Sequence, residues 1–357
     1  MSKQYIAKVY SFPSGNLLGT LNSKRLGPVP FSSRINQGQG QLRFTYVLDF
    51  DAYDEDLFRF MNLLRIYVVD DANPLGRILY TGWISQIEPF AQGSKQGIDI
   101  TLLGVGSLMQ NAYYKNPGRS FTLTGDPGQL LRNLVDNFNS VYEITNNFPG
   151  GVVFYEDGDI EDTGDTVTVE IDDRTWADAM NTIFSFTPAN WFFRIEGDGR
   201  IVMREKPASA THTFTFGKDI NSLSIPKNIE KVKNKIYVRD SLGVETSYQD
   251  SASIALYGLR EVVSSAPTDS SADVFGGKSL DEKKGAKTAG KIEVDVSYDI
   301  ESIKPGDTCS VRNLRFGADL LPDNLTIVSV GYSPSRASLV LEQDVRLADE
   351  ILTLTNG

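Results

Sequence analysis

Hydrophobic and polar positions alternate most regularly between residues 64 and 109, where the chain reads as three consecutive strands. Residues 64–69 are rich in β-branched and aromatic side chains, and a turn of Asp, Asn, Pro and Gly ends the run. The alternation resumes over residues 77–89, where Gly82 allows a bulge or a close backbone approach. Residues 98–103 alternate once more. This pattern predicts an antiparallel meander with one buried face and one solvent-exposed face.

Alternating runs before this meander predict further strands, and one segment predicts a helix. The strands are residues 5–12, 17–21 and 42–50, and the Gly-, Pro- and Ser-rich residues 22–40 predict a connection. At residues 54–63, acidic residues in the first turn are followed by apolar residues on one side, which predicts one short helix. These apolar residues are Leu57, Phe58, Met61 and Leu64.

Two capped helices and a hairpin are predicted after the boundary at Asn116-Pro117-Gly118. Asp126 is the expected N-cap of the first helix, with Pro127 at the first helical position. Thr175 and Asp178 resemble a capping box at the start of the second. The inward-facing residues are Leu130, Leu131, Leu134, Val135 and Phe138 in the first helix and Trp176, Ala179, Met180, Ile183 and Phe184 in the second. A hairpin over residues 191–205 follows, and its Trp191, Phe192 and Phe193 are expected to fill a core.

From Thr211 the alternation predicts strands again. They are residues 213–216, 223–225, 229–239, 244–248, 292–296, 308–313, 325–333 and 337–343. Residues 250–259 predict a short helix, and the polar segment 264–291 predicts an insertion with little core of its own. Residues 345–357 are expected to form a tail or a short closing helix.

The predicted architecture is mainly β with α+β parts. It comprises a first antiparallel β domain at residues 1–115 and an α+β domain at 116–206. A second β domain follows at 207–249 and 291–357, and it contains a small helical or flexible insertion at 250–290. A length of 357 residues agrees with roughly two to four domains.

The order of several short motifs resembles the hub proteins of bacteriophage baseplates and tail tips. In the meander these are Gly76-Arg77, Tyr80-Thr81-Gly82 and the Thr-Leu-Leu-Gly at residues 101–104. The capped helix at 126–138 comes next, followed by Trp-Ala-Asp-Ala-Met at 176–180. The aromatic hairpin with Gly-Asp-Gly-Arg at 197–200 and Tyr-Gly-Leu-Arg-Glu at 257–261 complete the order. The resemblance covers nearly the whole chain.

This resemblance implies two tail-tube-like β-barrel or sandwich domains per chain, and a homotrimer that places six of them in a ring. Such a ring joins a sixfold tail tube or distal tail protein to a threefold tip, spike or fibre. DNA passes through its channel without specific binding during genome ejection. The resemblance also implies a structural virion protein that is assembled in the host cytoplasm. Many relatives carry a C-terminal peptidoglycan-degrading domain, but here the second β domain ends near Gly357, so we expect none.

The charge balance argues against sequence-specific nucleic-acid binding. Lys and Arg total 35 against 46 Asp and Glu, a net charge of −11, and no stretch concentrates basic residues into a phosphate-tracking surface. An acidic wall is compatible with a DNA conduit, because like charge discourages adhesion.

Cys309 is the only cysteine, so we expect no disulfide and no cysteine-based zinc site, and we interpret it as a small buried hydrophobe. The first residues lack a basic region followed by an apolar core. No run approaches the roughly 18 apolar residues of a membrane helix. We therefore expect a soluble protein without stable membrane anchoring.

Candidate catalytic residues are few. His212 is the only histidine, so triads and histidine metal sites depend on one residue, which we interpret as an ordinary strand residue. Neither the His-Glu-Xaa-Xaa-His zinc signature nor the Gly-Xaa-Ser-Xaa-Gly elbow occurs. The many acids leave a glycoside-hydrolase pair open. The alternatives to a hub are therefore a virion-associated cell-wall-degrading enzyme, either glycoside hydrolase or peptidase, and a carbohydrate-binding β module.

Three further motifs are weak. The Gly-Gly-Lys-Ser at residues 276–279 has Ala272 where a phosphate loop needs glycine, so we interpret it as a flexible connector. Gly104 and Gly106 follow a strand, but Met109 replaces the third glycine of a dinucleotide loop. Residues 156–165 concentrate carboxylates that could bind Ca²⁺, although their order departs from the EF-hand and favours a solvated turn. We assign no catalytic, cofactor-binding or metal-binding residue.

Overall fold

β-strands dominate the part of the chain that the structure describes. A computed structural model describes residues 4–12, 14–21, 29–36, 38–48, 53–71, 73–93, 95–114, 120–142, 152–172, 174–188, 190–239, 245–265, 272–315, 321–333 and 335–343. Within these residues the chain is mainly β with α+β parts, which confirms the predicted fold class. We refer to residues 4–114 as the first β region, 120–205 as the central region and 206–343 as the second β region.

The first β region contains the predicted meander. Its elements are β1 Gln4–Tyr10, β2 Leu17–Leu21, β3 Phe31–Arg34, β4 Gly38–Gln39, β5 Leu42–Leu48, β6 Leu63–Val69, β7 Arg77–Gln92, β8 Lys95–Gly104 and the helix Gly106–Gln110. Six strands form one antiparallel sheet in the order β2-β1-β6-β7-β8-β5. Gly82 provides the predicted close approach, because a Cβ there would lie 2.6 Å from the Leu103 carbonyl oxygen.

The helix predicted at residues 54–63 is wrong. Residues 55–58 form a turn instead. Asp54 Oδ1 accepts a hydrogen bond from the backbone N–H of Leu57 at 3.0 Å, and Asn62 Nδ2 donates to the Leu57 carbonyl oxygen at 3.2 Å. Such local bonds from Asp and Asn side chains give the backbone an alternative to helical pairing.

The central region has the predicted helices and hairpin, together with one strand pair that was not predicted. Its elements are β9 Ser120–Gly125, helix Pro127–Tyr142, β10 Val167–Asp172, helix Trp176–Phe184, β11 Trp191–Ile195 and β12 Ile201–Glu205. Both predicted caps are confirmed: Asp126 accepts from the Gly128 N–H at 2.7 Å, and Thr175 accepts from the Asp178 N–H at 3.1 Å. All the predicted inward-facing residues of the two helices are buried, as are those of β11.

The second β region builds a larger sheet around a separate core. Its elements are β13 His212–Thr215, β14 Ile220–Ser224, β15 Lys227–Asn228, β16 Lys235–Arg239, β17 Glu245–Gln249, helix Ser251–Tyr257, β18 Glu261–Ser265, helix Ala272–Lys283, β19 Lys287–Asp295, a 3-10 turn Ile300–Ser302, β20 Thr308–Arg312, β21 Leu325–Ser333 and β22 Arg336–Glu342. The sheet runs β13-β20-β21-β22-β19-β14, with β15 on β19. β3 of the first β region also joins it by pairing with β21.

The insertion has more order than predicted. β16 and β17 pair with β18 in a separate three-stranded sheet, order β17-β16-β18, instead of joining the large sheet. Helix Ala272–Lys283 covers it, and its Phe275 packs with the buried Ile236 and Val238. The interpretation of residues 276–279 as a flexible connector is wrong, because they lie in this helix. Gly276 fits there because a Cβ would lie 2.2 Å from the Tyr248 ring.

Four strands of the first sheet and four of the second share one topology. In the first motif, β5 to β8, the strands lie in the order β6-β7-β8-β5. In the second motif, β19 to β22, they lie in the order β20-β21-β22-β19, and both are antiparallel throughout. The central hairpins share one register: Ile84, Ile87 and Pro89 oppose Leu102, Ile100 and Ile98, as Ile327, Val330 and Tyr332 oppose Leu341, Leu339 and Ala337. Each hairpin carries one bulge, at Ser85 and at Val328.

The backbone just before β6 and just before β20 also has the same hydrogen bonds in the two motifs. The N–H of Ile84 donates to the carbonyl of Asn62, and the N–H of Ile327 donates to that of Asp307. One residue earlier, the N–H of Met61 donates to the carbonyl of Ile84, and the N–H of Gly306 donates to the carbonyl of Ile327. Both of these donors have positive φ, 69° at Met61 and 88° at Gly306. The two motifs are therefore structural repeats.

Some predictions fall outside the described residues. They concern the boundary at residues 116–118 and the tail at 345–357. The division into domains at residues 115, 206, 249 and 290 stays a prediction.

Candidate functional site at the junction of the three regions

One segment of the first β region contacts both other regions. This strap comprises β3, β4 and the described residues up to Gln41. The Ile35 N–H donates to the Val328 carbonyl at 3.0 Å, and the Asn36 N–H donates to the Phe193 carbonyl at 2.8 Å. Asn36 Oδ1 also accepts from the Phe193 N–H at 3.1 Å. Asn36 has φ 62°, a conformation that asparagine tolerates better than most residues.

The strap also returns to its own region. Gln39 Nε2 donates to the Leu79 carbonyl at 3.0 Å, and Gln39 Oε1 accepts from the Thr81 N–H at 3.3 Å. Gly104 lies against it, since a Cβ there would be 2.4 Å from the Gln39 carbonyl oxygen. The strap therefore ties β7, β11 and β21 together.

A buried charge network joins the central region to the second β region. It comprises Arg194 and Glu196 on β11 and its end, and Lys304, Asp307 and His212 of the second β region. Arg194 contacts Glu196 and Asp307 at 3.0 Å each, and it donates to the Pro305 carbonyl at 2.8 Å. Lys304 Nζ lies 2.7 Å from Glu196 Oε2, and His212 Nε2 lies 3.0 Å from Asp307 Oδ2. Each carboxylate thus has two side-chain partners, and Asp307 also accepts from the backbone N–H of Lys304 at 3.0 Å.

Electrostatics keep both carboxyl groups of this network ionised. Burial raises the pKa of Asp307, but the hydrogen bond from His212 and the charge of Arg194 outweigh it and hold the pKa below its usual range. Burial also raises the pKa of Glu196, and the charges of Arg194 and Lys304 lower it further than burial raises it. A group with a lowered pKa is poorly suited to be the protonated acid of a glycoside hydrolase.

The two β regions contact each other directly beside this network. Arg77 lies 3.1 Å from Asp299, and the Tyr5 hydroxyl donates to Glu301 at 2.9 Å. Phe31 of the strap stacks on Tyr332 with ring centroids 4.6 Å apart. Burial and the charges of Asp307 and Glu196 raise the pKa of Tyr332, so its hydroxyl remains a donor, and it bonds to the Ile303 carbonyl.

His212 lies in a strand, as predicted. The residue is 8% exposed, and both ring nitrogens have partners, with Nδ1 3.1 Å from the Tyr298 hydroxyl. The arrangement pairs a histidine with a carboxylate, but Arg194 occupies the other oxygen of Asp307. Arg194 and His212 therefore hold Asp307 through its two carboxylate oxygens.

The acidic loop at residues 156–165 is held by arginines. Arg200 lies 2.8 Å from Glu156 and 3.4 Å from Asp159, and Arg132 contacts Asp162 at 2.5 Å. Within the part of the chain that the structure describes, no group of three or more His, Cys, Asp or Glu side chains is placed to hold a metal ion. The loop is thus a charged turn with cationic partners.

Two larger concave surfaces lie on the described structure, one beside the junction and one away from it. A cleft of about 760 Å³ opens beside the strap, between the helices Gly106–Gln110 and Trp176–Phe184. Among its described lining residues, Asp178 is the one carboxylate, so the cleft does not present an acid pair. A second, apolar groove of about 660 Å³ lies on the far end of the β7–β8 hairpin.

The sequence interpretation missed both the strap and the charge network. Apart from Gln41, the strap lies in residues 22–40, which were predicted as a connection because of their Gly, Pro and Ser content. The network did leave a signal: Arg194 and Glu196 alternate with apolar residues in a strand that was expected to be buried. Buried charges require partners.

Comparisons with known proteins identify the fold. No protein-family model matches the sequence, and no curated protein matches it. The structure is similar to a 43 kDa tail protein of prophage MuSo2 from Shewanella oneidensis, with TM-score 0.67 and 11% identity over 97% of this chain and 99% of that one. A tail protein from Neisseria meningitidis MC58 gives TM-score 0.62 and 12% identity over 95% and 96%. Prophage tail protein gp18 from Listeria monocytogenes EGD-e gives 0.61 and 11% over 99% and 97%.

The chain therefore has the fold of phage tail proteins over nearly its whole length, which confirms the resemblance seen in the sequence motifs. Among the described residues, none of the helices has the length and apolar composition needed to cross a membrane.

Proposed function

We propose that this chain is a structural subunit of a bacteriophage tail, and that three copies form the hub ring of the baseplate or tail tip. The fold shared with the three tail proteins supports a tail role. The observation that carries the hub proposal is the structural repeat. One chain holds two copies of the four-strand motif, and three chains would supply six.

A ring of six similar β units is suited to join a sixfold tube to a threefold tip. Closed rotational symmetry satisfies every interface and limits the assembly to a fixed size. The expected partners are the tail tube or distal tail protein on one side and the tip, spike or fibre proteins on the other. The ring would act in the virion after assembly in the host cytoplasm.

Rigidity is the physical property that this role needs. The strap and the charge network fix the two motifs and the central region relative to one another through buried contacts. DNA would pass through the ring without specific binding, and the net charge of −11 favours passage over adhesion. The channel needs no reactive group, and the ion-paired state of Glu196 and Asp307 supports a non-enzymatic role.

The mass of the purified chain by light scattering, together with negative-stain electron microscopy, tests this proposal. We expect an assembly of three times the 39.4 kDa chain and a ring with a central opening. A chain that stays monomeric and releases soluble fragments from bacterial cell walls would overturn it in favour of a cell-wall-degrading enzyme.

A further inference from the structure

Within one chain, the second motif receives the first β region on a defined surface. Asp299 and Glu301, which precede β20, accept Arg77 and Tyr5. The edge of β21 after its bulge pairs with β3, and Tyr332 on that edge stacks on Phe31. This surface is therefore an interface between a second motif and a first β region.

The first motif carries the same surface, because the repeat fixes which residues correspond. Counting back from the matched Met61 and Gly306, Asp54 stands where Asp299 stands, and Asp56 stands where Glu301 stands. Counting forward from the matched bulges, Pro89 stands where Tyr332 stands. The two acidic residues before β20, Asp299 and Glu301, thus have acidic counterparts before β6 in Asp54 and Asp56.

In the first motif this surface is uncovered in the described structure. Asp54 and Asp56 are exposed, and Tyr53 and Phe60 beside them are 39% and 60% exposed. The apolar groove of about 660 Å³ lies at the matched part of the hairpin and is lined by residues that include Leu48, Tyr53, Ile87, Pro89, Phe90 and Ala91. Among the described residues, the hairpin strand from Gln86 to Gln92 pairs only with β8.

The charges of the second β region complement this surface. The first β region docks with Arg77, the first residue of β7. The β20–β21 end of the second motif corresponds to the β6–β7 end of the first, and it carries exposed Arg312, the last residue of β20, and exposed Arg315, with Asp323 as an exposed carboxylate nearby in the sequence. Lys218, at the turn between β13 and β14, is exposed as well. The uncovered surface of the first motif has the acidic run Asp54, Glu55 and Asp56.

We infer that the groove and acidic turn of the first motif are the docking site for the second β region of another copy of this chain. The contact within the chain and the contact between chains would then be equivalent, and first and second motifs would alternate around the ring. Pro89 has no N–H, so an added strand could not pair along the whole edge of β7. The contact between chains would instead be made by the side chains that line the groove. This inference rests on the proposed ring and names its interface.

Two variants and two matched controls test this surface. Asp56→Lys reverses a charge on an exposed side chain, and Asp157→Lys makes the same change on the exposed loop of the central region. Ala91→Arg places a bulky cation in the groove, and Leu75→Arg places one at a 93% exposed position away from it. Since all four sites are exposed, we expect the melting temperatures and the circular dichroism of the wild type.

Sedimentation velocity and light scattering of the full chain give the readout. We expect Asp56→Lys and Ala91→Arg to weaken assembly by about tenfold or more, the effect of losing a good interface contact, while both controls assemble as the wild type does. Adding Arg312→Glu and Arg315→Glu to the Asp56→Lys chain should restore assembly in part. A wild-type trimer that survives both interface variants would overturn the docking site and leave the ring intact. A wild type that is monomeric at every concentration would overturn both.

Discussion

Replacing Arg194 with methionine tests how strongly the buried charge network stabilises the fold. The Arg194 side chain is 10% exposed and contacts Glu196 and Asp307 at 3.0 Å each. Methionine keeps most of the apolar stem and removes the charge. Glu196 then keeps the Lys304 ammonium as a partner, and Asp307 keeps His212 and the backbone N–H of Lys304.

The cost follows from the burial of these carboxylates. Removing one partner of a buried ion pair typically costs about 3–5 kcal/mol, because the other charge stays buried without compensation. Lys304 still contacts Glu196 and His212 still contacts Asp307, so we expect the lower end, about 3 kcal/mol in the free energy of unfolding. Arg43→Met is the matched control. Its exposed pairs with Glu88 and Asp99 should be worth at most about 1 kcal/mol.

Equilibrium denaturation at pH 7, followed by tryptophan fluorescence and circular dichroism, measures both variants. The double variant Arg194→Met, Asp307→Asn should lose less than the sum of the two single variants, because the second change removes a charge that the first left unpaired. A cost for Arg194→Met within about 1 kcal/mol of the Arg43→Met cost, or strict additivity in the double variant, would refute the role of the network.

Three further outcomes follow from the structure. Gly306→Ala should lower the free energy of unfolding by about 2–4 kcal/mol in denaturant titrations, because it strains a φ of 88° and places a Cβ 2.0 Å from the Phe192 ring. Met61→Gly, at the matched position, should leave the free energy of unfolding unchanged or raise it. Equal losses in the two variants would contradict the repeat. The lowered pKa of Asp307 contributes stability above the pKa of an unfolded aspartate, about 3.9, that is lost as pH falls through the folded pKa. Melting temperatures of Asp307→Asn should therefore fall less steeply between pH 5 and about pH 3 than those of the wild type, and parallel curves would contradict this. Burial raises the pKa of Cys309 to about 12, so a thiol reagent at pH 8 should label it only in denaturant, and rapid labelling of the folded chain would show that the site opens.

Local sequence signals predicted those elements whose causes are local. The caps at Asp126 and Thr175 were predictable because a side-chain oxygen three residues or fewer from its donor needs no tertiary information. The β7–β8 hairpin was predictable because its two strands are neighbours in the sequence and alternate clearly. Cys309 was predicted as a small buried hydrophobe from its residue type, and it is buried.

The parts that were not predicted depend on contacts between distant residues. β3 pairs with β21, almost three hundred positions away, so its short run of Phe-Ser-Ser-Arg shows no helical or strand period of its own. The turn at residues 55–58 has an apolar spacing that also suits a helix, and the choice is made by side-chain bonds from Asp54 and Asn62. The charge network needs Arg194 and Asp307 to meet across two regions, which no local pattern contains.

The two motifs show how one repeated backbone supports two different surroundings. At the matched positions just before β6 and β20, the first motif has Met61 and Asn62, and the second has Gly306 and Asp307. The Asn62 amide donates to carbonyl oxygens within its own turn, and residues 53–56 at the start of that turn are exposed. In the second motif, glycine leaves room for the Phe192 ring, and the carboxylate of Asp307 receives Arg194, so the same turn becomes a contact with the central region. Few substitutions are thus enough to fix one motif inside the chain while the other keeps its surface exposed, and a ring of alternating motifs needs one of each in every subunit.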